Sequence, residues 1–75
     1  MVPTIIQERA FRLVVHTRDH PPPHVHVKRR GEEVRINLLT LESMDPGPVP
    51  RGCIDAVRAH LAELLRAWER YHPER

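Results

Sequence analysis

The sequence predicts an α+β fold: a four-stranded antiparallel β-meander with one C-terminal helix packed on one face. Three observations predict it. "HVHVKR" (24–29) and "EEVRINLL" (32–39) alternate in polarity around Gly31, the pattern of half-buried strands joined by a turn. "ESMDPGPVPRG" (42–52) carries Pro46, Pro48 and Pro50, which no regular element survives. Ile54, Val57, Leu61, Leu64, Leu65, Trp68 and Tyr71 recur at spacings of three and four, giving the single apolar stripe of an amphipathic helix.

In chain order, "PTIIQ" (3–7) is the first strand and "AFRLVVHT" (10–17) the second, rich in β-branched residues. Glu8 and Arg9 make the tight connection between them. Residues 24–29 and 32–39 are strands three and four. The linker spans 42–52, and the helix spans 53–71. Pro50 suits the approach to the first helical turn and Pro73 stops continuation. Trp68 and Tyr71 are read as core packing. Consecutive strands with short links make an antiparallel meander, and the helix buries its stripe on one sheet face.

With 75 residues, a single small domain (1–75) is expected. A core of that size is marginal alone, so a homodimer or hetero-oligomer is expected. Cys53 is the only cysteine, which rules out an internal disulfide and suits a reducing cytoplasm. No apolar run approaches the ~18 residues of a membrane span. "MVPTIIQERAF" has no basic n-region and no long apolar stretch, so neither a membrane anchor nor a signal peptide is expected. The formal net charge is +2 and Lys28 is the only lysine among 12 basic residues. That balance leans weakly toward acidic partners. The arginine excess reads first as a compositional bias.

Alternation sorts the strands into two faces. Phe11, Leu13, Val15, Val25, Val27, Val34, Ile36 and Leu38 pack under the helix. The other face carries Arg12, Val14, His16, His24, His26, Lys28, Glu33, Arg35 and Asn37. A two-residue turn at Arg30-Gly31 pairs Lys28 with Glu33, His26 with Arg35 and His24 with Asn37. A loop over 17–23 pairs His16 with His24 and Arg12 with Lys28. Directly opposite side chains sit ~5 Å apart at Cβ, so this register collects a His/Arg cluster on the face away from the helix.

"DHPPPHVHV" (19–27) sits at the head of that cluster. Pro21 to Pro23 read as a stiff arm that fixes how strand three enters the sheet. At ~3.1 Å per residue they set His20 ~12 Å from His24. Three chemistries suit the cluster. One is binding of a partner protein, RNA or DNA through Arg12, His16, Asp19, His20 and Lys28. The second is a metal-independent ribonuclease in which His24 and His26 act as acid and base and Arg35 holds phosphate. The third is zinc at His16, His24 and His26, which H-x-H spacing permits; the expectation is nonetheless no cofactor and no metal. The face lacks exposed aromatics for base stacking. Cys53 at the helix start is read as a small packing residue rather than a reactive thiol. The plain alternative to all three is a solvated polar face.

"PTI", the "F-R" strand, "DHPPPHVHV" and the terminal "LLRAWERYH" together resemble a family of very small bacterial proteins, a domain of unknown function numbered four-one-six-zero. The resemblance covers nearly the whole chain. Its signature falls on Asp19, His20, Pro22, Pro23, His24 and His26. Ala10, where glycine is commoner, and the proline-rich linker depart from the pattern. The family has no settled activity. Its members look like one half of two-protein operons of the toxin–antitoxin kind, which implies a small protein encoded nearby as partner.

Overall fold

The computed structural model describes residues 2–73. The elements run β1 (Thr4–Glu8), β2 (Phe11–Val15), β3 (His24–Arg29), β4 (Glu32–Asn37), α1 (Cys53–Ala59) and α2 (Leu61–Tyr71). The strands form one antiparallel sheet in the order β1-β2-β3-β4. Both hairpin turns, Arg9-Ala10 and Arg30-Gly31, therefore lie at one end of the sheet, and the 16–23 arm lies at the other.

The expected β3–β4 register is the observed one, with His24 opposite Asn37, His26 opposite Arg35 and Lys28 opposite Glu33. Both turn residues have positive φ, Arg30 at 46° and Gly31 at 81°. That is the conformation whose twist matches a two-residue hairpin. In the first hairpin Glu8 pairs with Phe11 and Arg9 takes φ 55°, so the turn falls on Arg9-Ala10, one residue later than expected. Arg12 faces Lys28 as expected, but the β2–β3 ladder ends at Val14 and His26. His16 lies beyond it and does not pair with His24.

All eight expected core-face residues are buried. Each large one is worth ~1.5–3 kcal/mol in apolar transfer. They meet Cys53, Ala56, Val57, Leu64, Ala67 and Trp68 from the helical segment, with Ile54, Leu61, Leu65 and Tyr71 at the margin. Burial pushes the Cys53 thiol pKa up, which keeps it protonated and unreactive.

The single helix expected over 53–71 is two helices. His60 leaves helical geometry at φ −121° and ψ 21°. Its Nε2 lies 2.7 Å from Glu8 Oε1 on β1, and its Nδ1 lies 3.7 Å from Glu63. A tertiary contact at the break, with no proline or glycine there, explains why apolar spacing alone read straight through it.

The 42–52 segment is irregular but not free. Met44 N–H donates to Arg35 O, Asn37 N–H donates to Glu42 O, and Ser43 bridges Ile36. These bonds cover the outer edge of β4, an edge that otherwise invites pairing with other chains. Gly52 enters α1 at φ 85° with the Phe11 ring 3.6 Å from where a Cβ would stand. Among the described residues no segment pairs with the outer edge of β1, where Ile5 is exposed. Among the described residues no helix is long and apolar enough to cross a membrane.

Candidate functional site

The face away from the helices carries a transverse row, Ile5, Val14, His26 and Arg35, set by the three strand registers. This face is not the open polar surface that alternation suggests. Val14 and His24 are each 4% exposed, and the arm closes over this end of the sheet. Two tethers hold the arm. Leu38 N–H donates to Pro23 O at 2.8 Å, which ties the arm to the end of β4. The His72 Nε2, just past α2, lies 2.6 Å from the Asp19 carbonyl. His72 stacks on Trp68 with ring centroids 3.8 Å apart, and Trp68 lies 5.3 Å from the His24 ring. The helix terminus thus serves as the back wall of the arm.

So held, Asp19 becomes the hub of the histidines. Its Oδ2 lies 2.8 Å from His26 Nε2 and 3.2 Å from His24 Nε2. Burial raises the Asp19 pKa, but the His26 hydrogen bond and the nearby His26, His24 and His16 outweigh it, so the carboxyl is held below its ordinary value. His26 Nδ1 lies 2.6 Å from Glu33 Oε2, which places the ring between two carboxylates. His24 Nδ1 lies 2.8 Å from the Pro22 carbonyl. The His16 ring meets His26 edge-to-face at 4.3 Å. One ligand atom each from His16, Asp19 and His26 fall within 4.8 Å of one another. These three, with Pro3, Thr17 and Arg18, line a surface recess.

Arg35 stands beside this cluster but is engaged elsewhere. Its Nε and NH2 donate to Asp45 Oδ1 at 3.1 and 2.7 Å, and its backbone N–H donates to Asp45 Oδ2. The paired charges hold Asp45 below the carboxylate range and Arg35 above its ordinary value. His20 is exposed and stands apart from the histidine group.

The remaining expected binding residues, Arg12 and Lys28, sit at the hairpin end of the sheet. There they join Arg29, Arg30, Gln7, Ala10, Gly31, Glu32 and Glu33 around a second recess. The ion pairs at this end are loose: Arg9–Glu8 at 3.8 Å, Arg29–Glu32 at 3.7 Å and Lys28–Glu33 at 4.0 Å. Exposed pairs of this kind are worth little. Arg12 and Arg30 have no ion-pair partner among the described residues. The candidate set read from the sequence thus divides into a histidine–carboxylate cluster at the arm and a basic patch at the turns.

Sequence reasoning missed three partners. Glu33 lies diagonal to His26 across the β3–β4 ladder, within reach of a long side chain, so that contact was legible from the register. Asp45 and His72 come from an irregular segment and a helix end, whose positions no periodicity encodes.

The family model of Domain of unknown function (DUF4160) matches residues 10–69. No curated protein and no solved structure matches the chain.

Proposed function

The chain belongs to the DUF4160 family, and on that premise we propose that it is a binding module in a two-protein regulatory pair of the toxin–antitoxin kind. It docks its basic hairpin end onto an acidic surface of a small partner protein. The observation that carries this reading is the gathering of Arg9, Arg12, Lys28, Arg29 and Arg30 at one end of the sheet, with Arg12 and Arg30 free of ion pairs among the described residues. Such a patch speeds encounter with an acidic surface and orients it.

A protein partner is favoured over single-stranded nucleic acid because Phe11 and Trp68 are buried and supply no stacking platform. The ribonuclease reading has less support. The His26 ring nitrogens face Asp19 and Glu33, and Arg35 is engaged by Asp45. An incoming phosphate would meet carboxylates, and the arginine meant to hold it is already neutralised.

The test is to express the chain alone and together with the product of the neighbouring gene. The expected result is no growth arrest and no RNA cleavage alone, with a stable complex on co-purification. RNA cleavage that disappears in His24→Ala/His26→Ala would overturn the reading in favour of the nuclease.

A further inference from the structure

We propose that His16, Asp19 and His26 form a binding site for a zinc-class divalent cation, with Glu33 and His24 as its supporting shell. A neutral imidazole has one N–H and one lone pair. In His26, Nδ1 faces the Glu33 carboxylate at 2.6 Å, and in His24, Nδ1 faces the Pro22 carbonyl at 2.8 Å. The Pro22 carbonyl only accepts, so a neutral His24 ring places its N–H there and turns its Nε2 lone pair inward, whereas His26 stands between two carboxylates, Glu33 and Asp19, and either of its nitrogens can carry the N–H. Both Nε2 atoms point at the same acceptor, Asp19 Oδ2, at 2.8 and 3.2 Å. Two imidazole nitrogens facing one carboxylate oxygen, with a third imidazole close by, gather ligand atoms of the kind that hold a metal ion.

The surroundings match a metal. An imidazole whose outer nitrogen is fixed by a carboxylate or a backbone carbonyl is the usual arrangement behind a metal ligand, and it raises the ring's basicity toward the ion. His24, with its side chain 5% exposed, is a buried polar group aimed into the cluster. His16 supplies the second nitrogen ligand within 4.8 Å of the others. Two imidazoles and one carboxylate suit Zn2+ and its first-row neighbours rather than Ca2+ or Mg2+. The recess lined by Pro3, Thr17 and Arg18 leaves one side of the triad open to solvent. The site therefore has three protein ligands and room for a water or an anionic ligand, the arrangement that distinguishes an accessible zinc site from a closed structural one.

Asp19 replaces His24 in the ligand set that strand alternation suggests. The reason is the arm, which folds the carboxylate back between the rings. The three ligands lie at the arm end of the sheet and only Glu33 is shared with the basic recess at the turns, so loss of metal binding and loss of partner docking are distinguishable.

The test titrates the full-length, tag-free protein with Co2+ and Zn2+. Co2+ binding is followed by its visible absorption band and by Trp68 fluorescence, since Trp68 is the only tryptophan and lies 5.3 Å from His24. One metal per chain is expected, displaced from Co2+ by Zn2+. His16→Ala, Asp19→Asn and His26→Gln should each weaken binding at least tenfold. Glu33→Gln, which touches no metal, should weaken it by about tenfold while circular dichroism stays unchanged. His20→Ala should leave binding unaltered. Absence of stoichiometric binding at micromolar Co2+ would overturn the proposal. So would binding that survives Asp19→Asn and His26→Gln in folded protein, or that is lost with His20→Ala.

Discussion

His60 shows how much one side chain can decide. It sits where the helical stripe is continuous, yet the structure breaks there, with its ring against Glu8 of β1 and Glu63 one turn on. The Glu8 hydrogen bond leads the causes that raise its pKa above the ordinary histidine value. A folded-state pKa above the unfolded one adds stability that is complete below the unfolded value of ~6.5 and is lost as pH rises through the folded value. The melting temperature of the wild type relative to His60→Gln should therefore be higher at pH 5.5 and converge with it by pH 8.5. A difference that does not change with pH would mean that the Glu8 contact contributes no proton-linked stability. Asp45 acts at the same scale in the other direction, since one carboxylate fixes both the Arg35 side chain and its backbone N–H. Asp45→Ala should cost about 1 kcal/mol in denaturant unfolding, a modest value because both partners are partly solvated. It should also speed amide exchange across 42–45.

The elements divide by how local their determinants are. β3 and β4 were legible down to register. Alternation fixes which residues face the core, the Arg30-Gly31 turn fixes the pairing, and a slip of one residue would expose Val25, Val27, Val34 and Ile36 together. The first turn moved by one position because Arg9 accepts a positive φ, an accommodation that composition does not announce. The helix break and the edge-covering 42–45 segment were not legible, since both depend on partners distant in the chain. Packing at the element level gives a direct check. Leu64 is fully buried between α2 and the sheet, so Leu64→Ala should destabilise the fold by about 2–5 kcal/mol. The exposed Glu69→Ala should cost less than ~0.5 kcal/mol. Gly31→Val should also destabilise, because φ 81° strains a β-branched residue even though nothing crowds the position.

At the scale of the whole molecule, the meander sets the two candidate surfaces at opposite ends. An odd number of reversals puts the two short turns, with their arginines, at one end and the long 16–23 arm, with Asp19, at the other. Strand register brings His24, His26 and Arg35 together as the sequence suggests, whereas His16 joins them from beyond the β2–β3 ladder, against the His26 ring and not opposite His24. The sequence could not show that Asp19 would be folded into their centre, or that His24 would be buried, because the arm's path depends on Trp68, His72 and Leu38. Nor could it separate Arg12 and Lys28 from the histidines as a surface of their own. That separation lets the docking claim be tested at the turns, with Lys28 the one patch residue that touches the cluster, through Glu33. The most direct measurement is the affinity of the purified chain for the product of the neighbouring gene, its proposed partner, as a function of salt, for wild type and for Arg12→Glu/Lys28→Glu/Arg30→Glu. The account predicts that wild-type affinity falls as salt rises from 50 to about 500 mM, as screening of exposed charges requires. It also predicts that the triple charge reversal, still folded, weakens binding at least a hundredfold. A complex indifferent to both salt and charge reversal would contradict it.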